Sequence, residues 1–158
     1  MPLQNVPTIE TSVEIAAPPA RVWELVSDLR NISRWSPQTA RSFGRGGKVD
    51  GGVGLGTRLL NVNRRGFLVW PTQSKVVRFV PEQEIAFRIK ENFTVWSYLL
   101  EPVEGGTRLT SRREAPEGIS DVSVKLTQAA FGGVESFADE LAQGMQETLL
   151  RIKADAER

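Results

Sequence analysis

The chain of 158 residues contains no cysteine and no histidine. Without cysteine there is no disulfide, no thiolate nucleophile, no iron–sulfur cluster and no Cys-ligated zinc. Without histidine the Ser-His-Asp triad, the imidazole base, the His-ligated haem and the common zinc and copper sites fall away. Acid–base chemistry is left to Asp, Glu, Lys and the single tyrosine, Tyr98. Neither sign of charge is in excess. Twenty Lys and Arg face 19 Asp and Glu, and a net charge of +1 gives no broad attraction to nucleic acid or an anionic membrane. No stretch approaches the roughly 18 apolar residues of a membrane span. Met1 to Glu10 lack the basic start and apolar run of a signal peptide. Only oxygen ligands remain for a metal, and no Asp-rich loop has calcium-binding spacing. These absences lead us to expect a cytoplasmic protein without integral membrane association, nucleic acid, metal or cofactor.

What is present is ordinary for a folded protein. Apolar residues make up 40% and charged residues 25%, which suits a water-soluble globular chain. The length reads as one domain over 1–158 that buries roughly 68–70% of its unfolded surface.

The chain opens with a strand pattern over about Thr8 to Ala16, where Val13 and Ile15 alternate with Ser12 and Glu14. Pro18 and Pro19 end it and are tolerated in the first turn of a helix. Val22, Leu25, Val26 and Leu29 then show the spacing of one buried helical face. Asn31 and Ser33 begin a second short helix or turn, closed by Trp35-Ser36-Pro37. From Gln38 to Glu114 the pattern is strand and turn. Gly44 to Gly56 reads as a loop or loose hairpin. Five strand-length runs follow: Thr57 to Arg65, Val69 to Val80, Glu84 to Lys90, Phe93 to Glu101 and Thr107 to Glu114. Links as short as Pro81-Glu82-Gln83 and Glu104-Gly105-Gly106 make consecutive strands antiparallel. Ser120 to Phe131 suits a short helix. The last quarter forms one long helix of about 24 residues, with Val134, Phe137, Leu141, Met145, Leu149 and Ile152 on one stripe. Gly132-Gly133 breaks the chain before it, and Ser136 with Asp139 resembles a capping box. A strand, two short helices, a run of about six antiparallel strands and one long C-terminal helix make an α+β fold.

Val13-Glu14-Ile15-Ala16-Ala17-Pro18 with Val22-Trp23, Asp28 with Trp35-Ser36-Pro37, Gly56-Thr57-Arg58 to Arg65 with Trp70, and Trp96 to Pro102 with Gly105 to Thr110 follow one another in the order seen in the SRPBCC superfamily. The chain resembles its START-like and polyketide cyclase/dehydrase-like members. The resemblance implies a helix-grip fold: a curved antiparallel sheet wrapped around the C-terminal helix, with a cavity between them for an apolar or amphipathic small molecule. Some members are cyclases.

Strand parity suggests which side chains would line such a cavity. Trp96, Tyr98 and Leu100 share a face, as do Thr107, Leu109 and Ser111, and as do Ile85, Phe87 and Ile89. With these faces inward, Arg88, Lys90, Glu101, Arg108 and Arg112 meet water. A filled core is the alternative. Leu59, Asn61 and Asn63 share a face. If it is inward, the amides need partners or a ligand head group. In the opposite register Leu60 and Val62 are inward and both asparagines are solvated. The glycine-rich segment has neither phosphate-binding motif and precedes a strand, so it reads as a loop at the cavity mouth. Arg58, Arg64, Arg65, Arg112 and Arg113 read as a solvated sheet face, with a ligand carboxylate at the rim as the alternative for Arg64 or Arg113. Asp28 reads as a helix-end residue. Gly144, inside the long helix, allows close approach of the sheet or leaves room for a ligand.

The candidate ligand-binding residues are Trp35, Asn63, Trp70, Phe87, Trp96, Tyr98, Phe137, Leu141 and Met145. Trp35 and Trp70 are expected at the mouth, beside prolines at element boundaries, and Asn63 as the polar anchor. No residue is assigned a catalytic role. Glu14, Glu84, Glu101 and Glu114 are opposite in parity to their strands' apolar faces, which leaves few carboxylates to be buried as a general acid or base. The expected function is binding of a lipid-, sterol- or polyketide-like ligand. The alternatives are a metal-free cyclase or dehydratase, and an accessory protein with a vestigial cavity. A homodimer is the one protein partner considered.

Overall fold

The computed structural model describes residues 3–4, 8–45, 53–116, 119–120 and 134–158. Side chains at 3–4, 45, 119–120 and 134–137 lie outside the described set. The expected short helix over Ser120 to Phe131 and the capping motif at Gly132-Gly133 and Ser136 therefore fall outside what can be compared.

In chain order the elements begin with β1 (Leu3–Gln4), β2 (Ile9–Ile15), α1 (Pro19–Val26) and a 3-10 turn (Leu29–Arg34). Six further strands follow: β3 (Thr39–Arg45), β4 (Arg58–Arg65), β5 (Leu68–Val80), β6 (Glu84–Ile89), β7 (Val95–Val103) and β8 (Gly106–Glu114). The last elements are β9 (Ile119–Ser120) and α2 (Val134–Ala156). Seven strands form one antiparallel sheet in the order β2-β8-β7-β6-β5-β4-β3, and β1 pairs separately with β9. The sequence pattern leads to a first strand and a run of about six more after the short helices, and β2 with β3 to β8 has that count. The strand given no bounds of its own is β3, whose run Thr-Ala-Arg-Ser-Phe-Gly-Arg carries no clean alternation and takes its strand form from pairing with β4 at the sheet edge.

Local chemistry explains the path between elements. Pro18 and Pro19 start α1 with extended and then helical backbone, and Val22 and Val26 turn inward. Asp28 caps the 3-10 turn: its carboxylate accepts from the Arg30 backbone N–H at 3.1 Å and from the Arg30 guanidinium at 2.7 and 2.8 Å. Asp28 is thus the turn-bonding residue that its position suggests. Ser36 Oγ accepts from the backbone N–H groups of Gln38 and Thr39 and aims the chain into β3. Bulges interrupt β3 at Thr39/Arg41 and β5 at Val76/Arg78. Such bulges bend a strand and increase its twist, which suits a sheet that curls around a helix.

The core lies where α2, α1 and the sheet meet. Ile15, Val22, Leu109, Leu149 and Ile152 are each at most 2% exposed there. Polar contacts hold the C-terminal half of α2 in register. Trp35 Nε1 donates to Asp155 at 2.6 Å, Lys153 Nζ donates to the Glu14 carbonyl at 3.0 Å, and the Ala16 N–H donates to Glu157 at 2.7 Å. Thr11 on β2 also donates to Gln146. The result is the helix-grip arrangement: a curved antiparallel sheet closed over one long helix. No helix among the described residues is long and apolar enough to cross a membrane.

Candidate functional site

The inner face of the sheet does not touch α2 along its whole length. A cavity of about 510 Å³ remains between them, within the range typical of small-molecule sites. Its floor is formed by alternate residues of five strands, as strand parity requires. Leu59, Asn61 and Asn63 come from β4, and Thr72 and Ser74 from β5. Phe87 and Ile89 come from β6, Trp96 and Tyr98 from β7, and Ser111 and Arg113 from β8. Leu141, Gly144, Met145 and Thr148 of α2 form the roof. Leu29, Ile32 and Pro37 close one end. Trp70 and Pro71 line the cavity beside Leu68, which is 44% exposed.

The inward assignment of Phe87, Trp96 and Tyr98 agrees with this floor. So does the inward register of β4, with Leu59, Asn61 and Asn63 all buried. The asparagines are bonded across the strands. Asn61 Oδ1 accepts from Ser42 at 2.8 Å, and its Nδ2 donates to Ser74 at 3.2 Å. Asn63 Nδ2 donates to Thr72 Oγ1 at 2.9 Å and to the Trp70 carbonyl at 3.4 Å, while its Oδ1 accepts from Thr39 at 3.4 Å. Both Asn63 N–H groups are therefore committed, and a lone pair is what it can offer a ligand. Asn61 keeps one N–H free in these bonds.

Asn63, Trp70, Phe87, Trp96, Tyr98, Leu141 and Met145 all line the cavity. Trp35 does not. It is 3% exposed in the core, and its indole N–H is bound by Asp155. The neighbouring proline suggests a rim position, but a half-buried carboxylate partner on α2 holds the ring inside. Phe137 lies in α2 with its side chain outside the described set. Gly144 faces the cavity. A Cβ built there would meet Pro37 Cγ at 3.5 Å, an ordinary contact. Packing against the sheet is thus not what requires this glycine, and its missing side chain leaves space in the roof.

Arg113 is the main correction to the sequence reading. It is not on the solvated face but 8% exposed, and it lines the cavity. The signal was available: Thr107, Leu109 and Ser111 point inward, and residue 113 follows with the same parity. The expectation that an arginine seeks water outweighed it. Among the described residues Arg113 Nε is buried without a hydrogen-bond partner, and burial lowers the guanidinium pKa from its ordinary value. Next to it, Tyr98 is 6% exposed, and burial pushes its phenol well above the ordinary range. At neutral pH it is therefore a donor. Glu91 is the one Asp or Glu among the lining residues. It sits in the β6–β7 turn and accepts from the Gln73 backbone N–H at 2.8 Å. Among the described residues no cluster of acidic side chains converges as a metal site would require.

Comparisons with known proteins agree with this architecture. Residues 6–157 match the family described as polyketide cyclase / dehydrase and lipid transport. A polyketide-cyclase-like protein from Corynebacterium glutamicum, solved in solution, is 28% identical with a TM-score of 0.63, over 95% of this chain and 91% of that one. The di-domain aromatase/cyclase StfQ of the steffimycin biosynthetic pathway shares 16% identity and a TM-score of 0.72, over 95% of this chain and 50% of that one. The chain therefore spans about half the length of that di-domain protein. The Aha1 dimer of Colwellia psychrerythraea shares 17% identity and a TM-score of 0.63, over 96% of this chain and 97% of that one. At these last two identities the likeness is one of fold. None of the curated proteins compared with the chain matches it.

Proposed function

We propose that this chain, which belongs to the polyketide cyclase / dehydrase and lipid transport family, binds a small and largely apolar molecule between its sheet and α2 without transforming it. Family membership and the aromatase/cyclase neighbours support a ligand-binding or cyclase role. The observation that favours binding is the makeup of the cavity wall. Its aromatic and aliphatic side chains, Phe87, Trp96, Leu141 and Met145, provide contact area. The one carboxylate among its described lining residues, Glu91, is held by a backbone N–H at the end of a hairpin, which is not how a general base is left free to take a proton. The candidate contact residues are those that line the space: Asn63, Trp70, Phe87, Trp96, Tyr98, Leu141 and Met145. On this reading the chain works as one cytoplasmic domain. The Aha1 neighbour is dimeric, and sedimentation would show whether this chain also pairs with itself.

The second reading is a cyclase. It is favoured by Tyr98 and Arg113, a protonated phenol and a guanidinium facing the same apolar space, which are groups able to polarise a carbonyl. Mass spectrometry of small molecules that copurify with the protein separates the two. A defined molecule recovered unchanged after incubation supports binding. A product that accumulates with time supports the cyclase. If nothing copurifies, and a panel of fatty acids, sterols and aromatic polyketides gives no saturable change in tryptophan fluorescence, both readings fail.

A further inference from the structure

Arg113 is an anomaly in an apolar cavity. Taking a guanidinium out of water is unfavourable unless an anion and hydrogen bonds compensate, and the group stays charged in proteins. Here the compensation is missing. Nε is buried and unbonded, and among the described residues no carboxylate forms an ion pair with Arg113. Other arginines of the sheet show the contrast. Arg112, one residue away on the outer face, meets Glu10 at 2.6 Å, and Arg108 meets Glu14 at 3.1 Å. Parity puts Arg113 on the opposite face from these pairs, at the cavity wall.

Its neighbours extend the polar patch. Arg113 stands opposite Trp96, and Ser111 stands opposite Tyr98 in the β7–β8 register. No described residue hydrogen-bonds the Tyr98 phenol. A guanidinium, a phenol and a hydroxyl thus lie on the inner face of two adjacent strands, in a cavity that Phe87, Trp96 and Met145 also line. All three can donate to one anion, and a guanidinium fork matches a carboxylate with two parallel bonds.

We infer that the cavity selects a carboxylic acid with an apolar body, and that Arg113 is the residue that reads the carboxylate. This rests on the binding function proposed above and narrows it to a chemical class. An aliphatic acid and an aromatic acid share that chemistry, and the apolar remainder of the wall chooses between them.

The test is calorimetric titration with matched pairs, dodecanoate against dodecanol and naphthoate against naphthol. Wild-type protein, Arg113→Met and Arg113→Lys are compared. In wild type at least one acid should bind about tenfold or more tighter than its alcohol. Arg113→Met should remove that preference and leave alcohol affinity within a few fold. Arg113→Lys should retain part of it, because it keeps the charge and loses the fork. Since Arg113→Met removes an uncompensated buried charge, it should melt no lower than wild type, which establishes that it folds. Equal affinity of acid and alcohol in wild type, or an acid preference that survives in Arg113→Met, overturns the inference and leaves the binding function standing. Absence of saturable binding for all four probes overturns the inference, and the copurification and wider ligand panel then decide whether the binding function falls with it.

Discussion

The sheet and α2 meet differently at their two ends. At the end built from β2, β8 and the C-terminal half of α2, the space is filled: Ile15, Leu109, Leu149 and Ile152 are each at most 2% exposed. Trp35, Lys153 and Glu157 add hydrogen bonds that fix the helix to the sheet and the 3-10 turn. At the end built from β4 to β7, the second half of β8 and the middle of α2 from Leu141 to Thr148, the same kinds of element stand apart over the cavity. The inner face of β4 and β5 carries amides and hydroxyls there, satisfied by one another across the strands. One end supplies the stability that lets the other remain open. Binding residues placed on such a rigid frame need little ordering when a ligand arrives.

The largest expected effect separates the two ends directly. Leu149→Asp buries an unpaired carboxylate in close-packed surroundings, and the protein should be unfolded at room temperature by circular dichroism. Leu141→Asp, on the same helix face, places the carboxylate against a cavity that can admit water, and this variant should fold with a lowered Tm. Equal damage at both positions would erase the distinction.

Two glycines sharpen it. A Cβ at Gly106 would lie 1.9 Å from the Ile15 carbonyl oxygen, a backbone clash that no rotamer relieves. Gly106→Ala should lose about 3 kcal/mol, read as the shift in the urea midpoint. Gly144→Ala meets only Pro37 at contact distance and gains helix propensity. It should stabilise by up to about 1 kcal/mol, with Tm rising about 2–4 °C, while it weakens ligand binding by narrowing the roof. A destabilised Gly144→Ala would mean that the helix is closer to the sheet than the cavity implies.

The smallest effect lies at the 3-10 turn between α1 and β3. The Arg30 guanidinium and backbone N–H hold the Asp28 carboxyl below its ordinary pKa, against the opposing effect of burial. A folded pKa below the unfolded one contributes stability that is present above about pH 3.9 and is lost as pH falls through the folded value. Asp28→Asn should therefore be slightly less stable than wild type at pH 7, and the difference should vanish in acid. A pH-independent difference would show that the cap acts through geometry alone.

The strands β4 to β8, the antiparallel hairpins and the long helix were legible because apolar periodicity and turn residues are local signals. The same parity rule put Trp96, Tyr98 and Phe87 on the cavity side, where they line it, while for Asn63 it left two registers open and the structure takes the inward one. It extended to Arg113 as well, but a lone buried cation runs against the general preference of arginine for water, and parity alone did not overcome that expectation. Trp35 was misplaced for a different reason. Its neighbours in sequence describe a boundary, while its environment is set by Asp155, 120 residues later. β3 received no bounds within the strand-and-turn region because an edge strand with mixed composition takes its hydrogen bonds from a partner and carries little pattern of its own.

By itself, then, the amino-acid sequence determined the chemical inventory and the local geometry. It excluded thiol and imidazole chemistry, set the alternation of each strand and assigned each strand residue to one of two faces. The tertiary structure decided which part of the shared inner face is filled and which part is open, because that depends on how far α2 stands from the sheet. That distance is set by contacts between residues far apart in the chain, Trp35 with Asp155 and Ala16 with Glu157. It also decided that one guanidinium would be enclosed without a counter-ion, since burial is a property of the assembled walls rather than of any one strand.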